Sequence, residues 1–209
     1  MVFFASGLFF DDSQVAKSRK FRDSDEMNRA VIEGWNRVVL ESDTVYILGG
    51  VGEFEYLKSL NGKKVLLFSS HENSFFNTYV SGVTTIRNQD IDREMFEEYV
   101  SNNYGIKRVN FNKKTVIKIY SGREINMTAN SDGLDLDRFN LISTSDSMFK
   151  YYKLFLKNQL RCLNVDISNN LLHPVSEHDV EELCKLVCKD LGYRQSDWNE
   201  GKKDNQFLR

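Results

Sequence analysis

Apolar and polar positions along the chain follow two rhythms, and the switch between them marks the elements. Residues 2–5, Val-Phe-Phe-Ala, are continuously apolar, as in a strand buried on both faces. A polar, basic stretch follows to Arg22, and then the period lengthens. Met27, Ala30, Val31, Trp35, Val38 and Val39 recur at helical spacing and form one wide apolar stripe. Asp23 supplies a cap for this helix, with Glu26 three residues on in a capping-box arrangement. Residues 43–48 read as a buried strand ending in Gly49-Gly50, 53–60 as a short helix stopped by Asn61-Gly62, and 64–68 as another buried strand. Strand and helix alternate, which predicts parallel strands joined by helical crossovers.

The second half changes character. A helix is expected over 90–99, strands over 107–110, 115–120, 124–128 and 139–142, and turns at 112–114 and 121–123. Residues 147–159 read as helical and 161–167 as a last strand. Ser176 opens a final helix with Val180, Leu183, Cys184, Val187 and Leu191 on one face and Gly192 closing it. No internal repeat is visible, so residues 1–192 are expected to form one domain, followed by a polar, frayed tail at 193–209.

Composition narrows the class. The 209 residues are 41% hydrophobic and 28% charged, enough for a sizeable core. A net charge of −2 leaves no electrostatic footprint for nucleic acid, and the local cluster Lys17, Arg19, Lys20 and Arg22 reads as a solvated loop. Cys162, Cys184 and Cys188 lack metal-ligand spacing and read as buried thiols of a reduced, cytoplasmic protein. No apolar run is long enough to span a bilayer, and the apolar start lacks the basic flank of a signal peptide.

In α/β sheets, ligand sites gather just past the carboxyl ends of strands. Those positions here are Ser6-Gly-Leu-Phe-Phe-Asp-Asp12, Gly49-Gly50 and Ser69-Ser-His-Glu-Asn73. They carry a family likeness. SGLFFDD stands where the small phage and bacterial calcineurin-like metallophosphoesterases have SDxHFGH, and DTVYILGG at 43–50 resembles their DTVYxLGD. LNGKKVLLFSSHEN at 60–73 resembles LNGKKxLxxGNHD, and MNRAVIEGWNRVV is similar to the family's first helix. Near the end, Asn164-Val-Asp-Ile and Pro174-Val-Ser176 resemble its closing segment. The likeness is close over 2–73 and looser over 138–191.

The resemblance implies an α/β fold, a two-layer β-sandwich flanked by helices (αββα), and phosphodiester cleavage by two cations about 3.5–4 Å apart. It also implies where the ligands should be. The family's first Asp falls on Gly7, its His partner on Phe9, its bridging Asp on Gly50 and its Asn on Ser70. A later His falls near Met127 or Thr128, and HGHxH falls on residues 142–146. Only His71 matches, and in the family that His assists chemistry rather than holding metal. Dications need several carboxylates and imidazoles to offset dehydration, so the expectation is a vestigial centre with no metal and no other cofactor.

Candidate residues for another role are Phe9, Phe10, Asp11, Asp12, His71, Glu72 and Asp146. Phe9 and Phe10 at a former cleft mouth either fill it or offer an apolar patch to a protein partner. The leading expectation is a pseudoenzyme that binds a protein, in the manner of a phage product engaging or inhibiting a host factor. Alternatives are a nucleotide- or phosphate-binding remnant using His71, the serines and the glycine turn, and a hydrolase rebuilt around Asp11, Asp12, Glu72 or Asp146. A structural subunit, with Trp198 and Phe207 in an aromatic tail, is a fourth. His173 and His178 read as structural or exposed, and Asp132, Asp135 and Asp137 as a polar turn without calcium-loop spacing. GxSxG, Walker and GxGxxG patterns are absent.

Overall fold

The computed structural model describes residues 1–68, 89–112, 114–129, 133–135, 137–143, 151–154 and 160–191. The expected alternation builds a first sheet from β1 (Val2–Ala5), β2 (Thr44–Ile47), β3 (Lys63–Leu67) and β4 (Ile106–Asn110). These four run parallel, and β10 (Val175–Ser176) joins antiparallel on the outside of β1, giving the order β10-β1-β2-β3-β4. A second sheet, ordered β5-β6-β7-β9-β8, comprises β5 (Thr115–Lys118), β6 (Glu124–Met127), β7 (Phe139–Ile142), β8 (Tyr151–Leu154) and β9 (Leu160–Asn164). It is mixed, with β6, β7 and β9 parallel and the two outer strands antiparallel.

The strand pleat sends alternate residues to opposite faces. Phe3, Ala5, Val45, Ile47 and Leu66 face one way, toward α1 (Ser13–Ser18), α2 (Ser24–Val38), the short 3-10 turn Phe54–Ser59 and α3 (Gln89–Tyr104). Trp35 is the largest side chain buried in that layer, its indole nitrogen donating to Asn61 O at 3.0 Å. Phe4, Leu48 and Leu67 face the other way and meet Ile125, Met127, Phe139, Leu141 and Leu163 of the second sheet. Val180 and Cys184 of α4 (Glu177–Leu191) complete this inter-sheet core. The architecture is therefore mixed α/β, two mixed sheets flanked by helices.

Three local expectations need correction. The stretch before Arg22 is not all loop: Asp12 accepts from the N–H groups of Gln14 and Val15 and starts α1. Residues 151–154 form a strand rather than part of a helix, because Tyr151 and Tyr152 suit a pleated surface and pair antiparallel with Leu163 and Cys162. The strand expected over 161–167 ends at Asn164, since Asp166 caps a 3-10 turn at Ile167–Asn169. The final helix starts as expected, with Ser176 Oγ and Asp179 bonded reciprocally. The tail at 193–209 lies outside the described residues.

Candidate functional site: the strand-end crevice

The ends of β1, β2 and β9 converge. Ser6 bridges Asp166, and the loop that follows β1 lies along the loop that follows β2, with Phe9 N donating to Gly50 O at 2.8 Å and Phe10 N to Val51 O at 2.9 Å. Gly7 takes the left-handed conformation (φ 67°), and a Cβ placed there would stand 2.2 Å from Asp166 Oδ2. Gly50 is also left-handed (φ 70°), and its missing Cβ leaves room for the Phe9 ring, whose Cζ would lie 3.2 Å away.

The crevice contains a cation from the chain itself. Arg19, one residue past α1, donates to Gly7 O at 2.5 Å and to Leu8 O at 3.4 Å. Its guanidinium lies 3.6 Å from Asp166 Oδ1 and 5.9 Å from the centroid of the Phe9 ring. The Arg19 side chain is 10% exposed and that of Asp166 1%. Asp166 Oδ1 also accepts from Ser168 N at 2.8 Å, while Oδ2 and the neighbouring Ser6 Oγ are buried without a hydrogen-bond partner. Burial pushes the Asp166 carboxyl up, against the opposing pull of the Ser168 bonds and Arg19. Burial likewise lowers the Arg19 pKa, against the opposing charges of Asp166 and Asp12.

These residues do not fit a two-metal centre. Among the described residues, Gly7 and Gly50 bring no side chain, Phe9 brings an apolar ring, and the carboxylate in the crevice, Asp166, already faces a guanidinium. Among the described residues no group of three His, Cys, Asp or Glu side chains could hold a metal ion.

The other candidates are dispersed. Phe10 is not available to a partner: it is 2% exposed and stacks on Tyr56 at 5.1 Å, because its position inside the paired loops points it into the helix-side core. Phe9 is half-buried, its ring near Gly50 and the Arg19 guanidinium. Asp12 is occupied as the α1 cap, so it is not poised as a ligand. Asp11 is exposed; its carboxylate accepts from Ser24 Oγ at 3.0 Å. Ser70, His71, Glu72 and Asp146 lie outside the described residues. Met127 and Thr128, where the resemblance places a His, are buried, Met127 in the inter-sheet core.

Away from the crevice, His173 Nδ1 donates to Pro174 O at 2.9 Å, and exposed His178 packs on Tyr120 at 4.0 Å. Asp135 is held by Arg138, Lys114 and the Asp137 N–H, consistent with a polar turn. Cys162 and Cys184 are buried free thiols, and burial pushes the Cys162 thiol up to about 12. Among the described residues no helix is long and apolar enough to cross a membrane.

The two residues that define the crevice, Arg19 and Asp166, were not singled out by sequence pattern. Arg19 sits in a basic run that reads as solvated. The available signal for Asp166 was an acid inside the otherwise apolar and amide-rich run Cys162-Leu-Asn-Val-Asp-Ile167.

Comparison with known proteins adds little about chemistry. No protein-family model matches the chain. The chain is 31% identical over 81 residues to the uncharacterized protein MJ1445 of Methanocaldococcus jannaschii, covering 34% of this chain and 46% of that protein. It thus spans less than half the length of that relative. The crystal structure of a protein of unknown function, AQ665 from Aquifex aeolicus, superposes with a TM-score of 0.56 at 14% identity, covering 88% of this chain and 98% of that one. The likeness is one of fold.

Proposed function

We propose that this chain is a metallophosphoesterase-like protein without catalysis, which acts by binding a protein partner. The observation that carries the reading is Arg19. Its guanidinium lies against Gly7 O, Leu8 O and Asp166, in the crevice where the resemblance calls for two metal ions. A fixed positive charge there repels dications, and Gly7, Phe9 and Gly50 offer none of the ligands that would offset the repulsion. Because Arg19 is turned onto internal acceptors, the crevice also lends little to a phosphate-binding reading. A hydrolase rebuilt around Asp11 and Asp12 draws no support either, since the first bonds Ser24 and the second caps α1.

For the binding half of the reading, support comes from the turn after Asp166. Leu171 (φ 53°) and Leu172 (φ 62°) are both left-handed, a conformation that disfavours side chains with a Cβ by about 1–2 kcal/mol each. Leu172 packs on the helix-side core, while Leu171 is 78% exposed. A strained turn that keeps a leucine in water suits contact with another molecule, and a host factor bound by a phage product is one such setting.

Two measurements test the reading. Calorimetry with Mn²⁺ and turnover of a generic phosphodiester on the same sample should both be silent; metal-dependent turnover would overturn it. Cross-linking from position 171 should capture a partner protein that Leu171→Asp loses, and capture of nothing but further copies of this chain would count against the binding half.

A further inference from the structure

We infer that the strand-end crevice is a guanidinium-binding site, filled in cis by Arg19, and that this internal ligand latches the loop after β1 to the closing segment after β9. A guanidinium asks for acceptors around its edge and tolerates an aromatic ring on its face. The crevice offers both. The left-handed turn at Gly7 lets two successive carbonyls, Gly7 O at 2.5 Å and Leu8 O at 3.4 Å, face the same side chain. Asp166 Oδ1 stands at 3.6 Å, Met27 Sδ at 3.7 Å and the Phe9 ring centroid at 5.9 Å.

Charge gives the ligand class. Among the described residues Asp166 is the one carboxylate within 4 Å of the guanidinium, Asp12 acts on it from further off, and the remaining acceptors are neutral carbonyls. That suits one monovalent, planar cation better than dications, which call for several close carboxylates. The Asp166 oxygen left without a partner, Oδ2, is buried and directed at the space over Gly7. A Cβ at residue 7 would take that space. The glycine and the arginine are thus two parts of one arrangement: the first makes room for the carboxylate, and the second neutralises it.

Shortening the arginine should leave a vacancy that free guanidinium fills. Arg19→Ala is compared with the unaltered chain and with Arg19→Ala/Asp166→Asn by thermal melting in millimolar guanidinium or methylguanidinium, against sodium at equal ionic strength. The melting temperature should rise for Arg19→Ala alone, since a ligand bound only by the folded state stabilises it. No rise, or an equal rise in all three proteins, would overturn the inference. Should Arg19→Ala fail to fold, the double variant decides: it should melt above the single one, because it no longer buries an uncompensated carboxylate, and equal or lower stability would overturn the proposal. The inference rests on the crevice being free of metal, as proposed above. Mn²⁺-dependent turnover by the unaltered chain would undo that reading, whereas missing rescue in Arg19→Ala undoes this one alone.

Discussion

Gly7 shows how tightly one residue can be specified without chemistry of its own. Its φ of 67° disfavours any L side chain, and a Cβ there would sit 2.2 Å from Asp166 Oδ2, an approach real Cβ atoms do not make. The strain of the left-handed backbone and the overpacking together predict that Gly7→Ala costs about 2–4 kcal/mol, read from chemical denaturation. Gly7→Asp should be worse still. It adds a second carboxylate beside one whose pKa burial has already raised. An alanine variant as stable as the parent would show that Asp166 moves freely and does not need the space that Gly7 leaves. Asp166 also has a pH signature. Its folded pKa lies above the ordinary value of 3.8, so its contribution is fully present below that value and is lost as pH rises through the folded pKa.

Among the elements, α4 is tied to both sheets through charged side chains. Glu177 accepts from Val2 N at 3.0 Å and from Tyr120 N at 2.8 Å, so one carboxylate ties the start of the first sheet to the end of β5. One turn on, Glu181 accepts from two Arg123 nitrogens at 2.9 and 3.0 Å and from Ser121 Oγ at 3.0 Å. The Arg123 hydrogen bonds hold the Glu181 carboxyl below its ordinary value of 4.5, ahead of an opposing push from burial. A depressed folded pKa means stability that is present above 4.5 and lost as pH falls through the folded value. Glu181→Gln should therefore cost about 2–3 kcal/mol at neutral pH, with the difference shrinking in acid as the parent carboxylate is protonated. Urea melts across the acid range check this, and a pH-independent difference would mean that Glu181 acts by shape alone.

The helix itself was legible in the sequence, from its apolar stripe and from Ser176 at its start. The same holds for α2 and the first three strands, whose periodicity is local. The partners of Glu181 were not legible, because a salt bridge across 58 positions leaves no trace in periodicity. Arg19 and Asp166 escaped for the same reason, and β8 because a short aromatic run suits strand or helix equally until its neighbour is known.

At the scale of the molecule, the first sheet stands between two cores, and Phe4 shows what that implies. Its ring is fully buried between the sheets and stacks on Tyr46 at 6.0 Å, while its chain neighbours Phe3 and Ala5 belong to the helix-side core. A four-residue strand therefore couples both layers, and a change on one face is felt on the other. Phe4→Ala removes a large side chain from the inter-sheet core and is expected to cost about 3–5 kcal/mol. The informative readout is where the loss appears. If the sheets depend on one another, hydrogen exchange should speed up in β6, β7 and β9 as well as in β1 and β2, and the urea transition should stay single while its midpoint falls. Exchange speeding up in the second sheet alone would mean that α1, α2, α3 and the first sheet are stable without it. The crevice, built from the ends of both sheets, is then expected to open before the rest of the molecule unfolds. A single transition gives the opposite result. The latch between Arg19 and Asp166 would hold as long as the fold holds, because the carboxylate comes from the segment just past β9 of the second sheet and the guanidinium from the residue just past α1 in the first sheet's helical layer.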